Sequence, residues 1–217
     1  IIVYFFVFPS ILYAGLITQF SFNFFAPDHL WKAYNALALS IYNGALDVSY
    51  EDIGRESFTY NGKVYFYFGY FPVLLRLLLS PFLDLNVVNL SRISVWLMTT
   101  IGAASLQYIL IFYSRPKHYR LKWDFISKTK IIILSLILWF GSAFFIIAQK
   151  GDIYHEPYAA MLMLSSMFVA VVYKDIIWDY KSRKYRLCLY ALLAALCVHS
   201  RLTIAVSLYL GVLILIV

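Results

Sequence analysis

Residues 131–148 read IIILSLILWFGSAFFIIA, and residues 157–173 read PYAAMLMLSSMFVAVVY; neither stretch holds an Asp, Glu, Lys or Arg. At about 1.5 Å rise per residue, roughly 20 apolar residues cross the hydrocarbon core of a bilayer. Strands can cross only as a closed barrel, alternating apolar and polar over about 10 positions. These runs do not alternate, so they are predicted to be transmembrane helices. Working outward, residues 1–22 and 93–113 are equally free of charge, and 187–217 is interrupted only by His199 and Arg201. Hydrophobic residues make up 63% of the chain and charged residues 13%, too few charges to cover a soluble domain of this length. The expected fold class is an all-α polytopic membrane protein with five to six transmembrane helices over one unit, 1–217. The last stretch, about 46 Å as one helix, is too long for a single crossing and is predicted to break near 199–201. The chain begins at Ile1 and ends at Val217 inside apolar runs, which reads as an internal piece of a longer protein.

Charge sets the expected orientation. Arg115, Lys117, Arg120, Lys122, Lys128 and Lys130 crowd 114–130; Lys174, Lys181, Arg183, Lys184 and Arg186 crowd 174–186. Short basic loops stay in the cytoplasm. Residues 23–92 and the turn 149–156 then face the other side. The formal charge of +7 is thereby explained by loop chemistry, and no nucleic-acid partner is expected. Cys188 and Cys197 have no metal-type spacing and read as unpaired.

The segment 23–92 has structure of its own. Pro27-Asp28 reads as the start of a helix on which Leu30, Tyr34, Leu37 and Ile41 recur at helical spacing, ended by Asn43-Gly44. An amphipathic helix of this kind lies at a membrane surface. Asp28 is then a helix-capping acid, paired with Lys32 four residues on, or a functional carboxylate. Asn61-Gly62, between aromatic and β-branched runs, predicts a small hairpin. Residues 73–82 predict a second short helix, too short to span, interrupted by Arg76 and Pro81 and placed at the interface.

These features in this order carry a resemblance. An outer Asp28 opens an amphipathic helix reading on through Tyr34, Ala38 and Gly44; Tyr60 to Tyr65 (YNGKVY) follows, then Phe68 to Pro72 (FGYFP) leads into Leu-rich sequence. Gly141-Ser142, then Asp152, His155 and Glu156, and later Ser200 to Thr203 (SRLT), fit the same plan. The chain resembles the N-terminal part of the GT-C superfamily of membrane glycosyltransferases, which includes protein O-mannosyltransferases and lipid A aminoarabinose transferases. The resemblance implies transfer of a sugar from a polyprenyl-phosphate donor to a lipid, glycan or protein acceptor at the extracytoplasmic face, in a bacterial plasma membrane. It implies Asp28 as general base, since a carboxylate must take the acceptor's proton. Arg201, His155, Glu156, Tyr65 and Lys63 are implied as substrate-binding, and Asp152 with Glu156 as ligands of a divalent metal ion. The polar turn around Asp152 also reads as a plain cap on the helix after it. Arg201 is either a phosphate ligand facing a polar cavity or a side chain snorkelling to the headgroups.

Two other classes remain open. A transporter or channel subunit would carry charged or broken spans and internal repeats; no repeat is found, and the first four apolar stretches hold no charged residue. A non-catalytic membrane scaffold would use 23–92 as a binding module.

Overall fold

Helices formed wherever the chain lacked charge, but not always to the expected length. The computed structural model describes residues 4–113, 125–178 and 183–216. Arg115, Lys117, Arg120, Lys122 and Lys181 of the two basic stretches lie outside the described residues. Helix α1 (Tyr4–Ile17) contains Pro9 and stops before residue 22. Thr18 ends it by turning its hydroxyl back onto the Ala14 carbonyl (2.6 Å) and accepting the Phe22 amide (3.0 Å). Gln19, Phe20 and Phe22 then take left-handed φ values of 54°, 60° and 54°, which no helix can continue through.

Next comes a cap built from α2 (Lys32–Tyr42), α3 (Tyr50–Ile53), the antiparallel strands β1 (Ser57–Tyr60) and β2 (Lys63–Phe66), and α4 (Phe71–Leu79). The hairpin forms as expected, with Tyr60 opposite Lys63 and both turn residues left-handed (Asn61 φ 49°, Gly62 φ 74°). Helix α2 ends as read, at Asn43-Gly44, but begins at Lys32 rather than at Pro27-Asp28. Leu30 at φ 52° forces residues 28–31 into a turn. Asp28 is therefore neither the cap of α2 nor a partner of Lys32, whose ammonium lies over the Trp31 ring. The cap has its own core, in which Tyr34, Leu37, Ile53, Phe66, Val73 and Leu90 are almost wholly buried. Helix α4 is amphipathic in an inverted sense: it buries Arg76 and exposes Leu74 and Leu78.

The remaining helices are α5 (Ser91–Tyr113), α6 (Phe125–Phe140), α7 (Ala143–Ile147), α8 (His155–Trp178), α9 (Arg183–Val198) and α10 (Leu202–Ile216). Three segments are long and apolar enough to cross a membrane: Ser91–Ile111, Lys128–Ile147 and His155–Ile177. They cover the expected spans 93–113, 131–148 and 157–173, the second broken at Gly141-Ser142, where the Ser142 hydroxyl caps α7. Helices α1, α9 and α10 are apolar but shorter.

The stretch 187–217 breaks at 199–201, as its length required, and the break is a full reversal. The Tyr190 ring meets Phe168 at 5.8 Å, and Arg186 pairs with Asp175, so α9 runs antiparallel to α8. Arg201 meets Tyr158 and Gly211 abuts Phe168, ten residues further along both chains, so α10 runs parallel to α8. The break thus lies level with the first turn of α8, beneath the cap. Here the Phe71 amide donates to the His199 carbonyl (2.8 Å), and Gly69 lies flat against the bend. A Cβ on Gly69 would overlap that carbonyl oxygen and stand 2.6 Å from the Ser200 carbonyl and 2.7 Å from the Ser200 Cα.

Because only backbone lies in the way, Gly69→Ala should force the cap off the bend. We expect a loss of about 1–3 kcal/mol, read as a lowered thermal midpoint in detergent. Gly211→Ala, within helix α10 and with a Cβ at an ordinary 3.5 Å from the Phe168 ring, should cost less than that.

Candidate functional site

A guanidinium inside a Leu-rich helix needs partners for five N–H donors. Arg76 has all five. Nε donates to Asn35 Oδ1 (2.8 Å); Nη1 donates to the Pro72 carbonyl (3.1 Å) and Glu156 Oε2 (2.7 Å); Nη2 donates to Ser91 Oγ (3.2 Å) and Glu156 Oε1 (2.8 Å). Both charged side chains have zero exposure. Asn35 uses its amide on the Leu85 and Val88 carbonyls, each at 2.8 Å. One buried network thus ties α2, α4, the start of α5 and the start of α8 together. Glu156 is fully committed to it and is not open to a substrate or a metal.

A second bidentate pair stands beside it. Asp28 Oδ2 and Oδ1 accept Arg92 Nε (2.6 Å) and Nη2 (2.8 Å), while Arg92 Nη1 donates to the Asn23 carbonyl (3.1 Å). The Asp28 side chain keeps 21% exposure. It is held in one orientation, yet each oxygen retains a lone pair on its open side. The Arg92 stem packs on Gly151, where a Cβ would come within 2.6 Å of its Cγ. That contact brings the turn bearing Asp152 against the arginine that holds Asp28.

Asp152 caps α8. Its Oδ1 accepts the Tyr154 and His155 amides, each at 3.1 Å, and pairs with His155 Nδ1 at 2.5 Å. Burial raises the Asp152 carboxyl, but the His155 hydrogen bond, its charge and the two backbone bonds outweigh burial and hold it below the ordinary value. Asp152 and Glu156, the expected metal ligands, have other partners in this structure. The first is spent on the helix start and the imidazole, the second on Arg76. Among the described residues no group of three or more His, Cys, Asp or Glu side chains could hold a metal.

Around the bend between α9 and α10 the polar groups are not paired off. The Arg201 guanidinium lies 4.1 Å from the centre of the Tyr158 ring, yet its Nε is buried without a hydrogen-bond partner. Ser200 Oγ and the Tyr34 hydroxyl are buried without partners too. Tyr34 and Ser200 are 1% and 3% exposed. An unpaired buried polar group costs about 1–3 kcal/mol, so three in one region mark a place built for something polar. Burial raises the Tyr34 phenol well above its ordinary value and Glu156 adds to that, against opposing pulls from Arg76 and Arg201. Tyr34 thus stays a neutral donor, within electrostatic reach of Arg201.

Glu56, beside this region, accepts Tyr154 Oη at 2.6 Å and the Tyr67 hydroxyl. These bonds, Tyr154 first, hold its carboxyl below the ordinary value, and they push Tyr154 up to about 12.

Lys63 and Tyr65 stand apart from these groups. Alternation along β2 puts Val64 and Phe66 on the core face and Lys63 and Tyr65 on the other. Lys63 pairs with Asp47 (3.0 Å) and Tyr65 stacks on Phe58 (5.6 Å). Asp28 is tied to the start of α5 through Arg92, His155 opens α8, and Arg201 lies over Tyr158 in the first turn of α8. Sequence reading missed Arg76, Arg92, Tyr34, Ser200, Tyr158 and Glu56. A visible signal existed for one of them: a lone arginine in FPVLLRLLL demands a buried acid. Comparison with protein-family models, curated proteins and solved structures gives no match.

Two outcomes follow from the ion-pair geometry. Glu156→Gln leaves Arg76 charged and buried, and should cost about 3–5 kcal/mol in a denaturation assay, whereas a paired Arg76→Met, Glu156→Leu change should recover much of that loss. The Glu56 contacts should weaken only in acid. A carboxyl held low in the folded state contributes above its unfolded value, about 4.3, and loses the contribution as pH falls through the lower folded value. The protection factors of amides in residues 57–67, with the intrinsic pH dependence of exchange divided out, should be flat from neutral pH to about 5 and fall below about 4. Glu56→Gln should remove that step.

Proposed function

We propose that this chain is part of a polytopic membrane glycosyltransferase of the GT-C type. It moves a sugar from a polyprenyl-phosphate carrier to a lipid, glycan or protein acceptor at the extracytoplasmic face of a bacterial plasma membrane. The observation that carries the reading is the set of three buried, unpaired groups Tyr34, Ser200 and Arg201 at the bend beneath the cap. A guanidinium N–H and two hydroxyls make a donor set for an oxyanion, and a phosphoester oxygen is the acceptor that would satisfy it.

The chemistry then assigns itself to neighbouring groups. The acceptor oxygen bonds to the anomeric carbon as the bond from that carbon to the phosphate oxygen breaks. The electron pair leaves on the phosphate, and the acceptor's proton goes to Asp28. Arg201 on its Tyr158 platform meets the charge that develops on the departing phosphate. Arg92 holds the Asp28 carboxylate in one orientation while the open lone pairs receive the proton. Asp28 is held from the start of α5 and Arg201 lies on the first turn of α8, where a lipid-borne phosphate would arrive from the side.

The reading is tested in proteoliposomes with a panel of radiolabelled polyprenyl-phosphate sugars. Label should pass to an acceptor. Asp28→Asn should lower kcat about 100-fold or more, and Arg201→Ala should lower kcat/KM about 10- to 100-fold. Consumption of no donor by well-folded protein, or full activity in Asp28→Asn, would overturn it.

A further inference from the structure

Glu56 stands outside the chemistry above, and its environment has a specific use. An ionised carboxylate offers about four acceptor positions. The Tyr154 hydroxyl takes one on Oε1 and the Tyr67 hydroxyl one on Oε2. One acceptor position remains on each oxygen, side by side, and the carboxylate cannot rotate to spend them elsewhere. Two adjacent hydroxyls of a sugar ring present two O–H donors in a matching arrangement.

The surroundings suit the rest of a sugar. Tyr67 stacks on Phe68 at 4.4 Å between ring centres and 28° between planes, and Tyr154 meets the same Phe68 edge-on at 5.6 Å and 81°. Tyr67 and Tyr154 remain 55% and 36% exposed, so aromatic surface flanks the carboxylate. The electron-rich faces of such rings receive the C–H face of a pyranose. Tyrosines that served packing alone would not stand this open around a half-buried acid.

Position links this cluster to the unpaired donors at the bend. Tyr67 is two residues from Gly69, which rests on the Ser200 carbonyl, so the Cα atoms of Tyr67 and Gly69 lie within about 7 Å. The Arg201 charge acts on the Tyr67 phenol as it does on that of Tyr34. A group of acceptors therefore adjoins a group of donors, on one face of the cap–helix seam, and a sugar carrying a phosphate has both complements.

We propose that Glu56, fixed by Tyr67 and Tyr154, is a carbohydrate subsite that reads two adjacent hydroxyls of the transferred sugar. The inference rests on the glycosyltransferase reading for the identity of the phosphate-bearing donor; the carbohydrate chemistry of the subsite stands on its own geometry. Epimers inverted at one of the two hydroxyls, and deoxy sugars lacking one, lose a charge-assisted bond there. Glu56 is thus a residue of sugar choice, apart from the proton transfer at Asp28.

The test uses the protein in nanodiscs and saturation-transfer NMR with methyl pyranosides that differ at single hydroxyls. Wild type should bind at least one pyranoside and bind its deoxy or epimeric partner about tenfold more weakly or worse. Glu56→Ala should abolish the preference, while Arg201→Ala should leave it intact, since the probes carry no phosphate. Tyr67→Phe and Tyr154→Phe keep the rings and free the carboxylate; each should blur the preference without removing binding. Equal preferences in wild type and Glu56→Ala would overturn the proposal and leave Glu56 a mere tie between cap and turn, as would no pyranoside binding at all. Donor turnover, measured separately, distinguishes the two ideas. Sugar preference at Glu56 with no transfer from any donor sinks the transferase reading alone. Transfer whose donor choice ignores Glu56 sinks the subsite alone.

Discussion

The bidentate contact between Arg76 and Glu156 is the constraint on which the rest of the structure depends. A guanidinium with no exposure is tolerable only if every N–H is used, and this one uses all five. Its partners come from α2, α4, α5 and α8, so the cap cannot shift on the helix ends without leaving a buried charge uncompensated. That rigidity sets the platform from which Asp28, in the non-helical link between α1 and α2, can be held by Arg92 alone. It also explains the inverted character of α4: the helix turns its one cation inward and leaves Leu74 and Leu78 on its exposed face.

Against this fully satisfied network, the bend between α9 and α10 looks unfinished. Both adjoin the same cap, and Tyr34 relates to both, its ring 5.1 Å from the Arg76 guanidinium and its unpaired hydroxyl within electrostatic reach of Arg201. Folding does not require Tyr34, Ser200 and Arg201 to go without partners, since Ser and Arg at a helix break ordinarily reach solvent or a carbonyl. Their orphan state is a cost carried by the free protein that a bound anion would relieve. The close approach of Gly69 supports the same view. A larger residue would prop the cap away from the bend and let water do the pairing instead.

The helices were legible in the sequence because an uncharged run of about 20 residues has few other fates. The break at 199–201 was legible because 187–217 exceeds one crossing, and the hairpin because Asn-Gly must be left-handed at both positions. Reading failed where a decision belonged to distant residues. Pro27-Asp28 has the composition of a helix start, but Arg92, 64 positions on, draws the carboxylate away and Leu30 turns the chain first. Arg76 read as an interruption in an apolar helix, when it is the most buried charge among the described residues along with Glu156. Glu56 was invisible because its meaning comes from Tyr154, 98 positions away. Local pattern specifies elements; it does not announce which side chains they will share.

The 80 positions between Arg76 and Glu156 also have a meaning in time. A ribosome adding about 5–20 residues per second delivers the arginine several seconds, and two long apolar segments, ahead of its acid. Throughout that interval α4 carries a cation for which only Asn35, Pro72 and Ser91 are yet available. The cap is therefore made well before it can be locked. Quality control that samples nascent chains would find it open until α8 has been made, so a chain stalled before that helix carries its own mark of incompleteness.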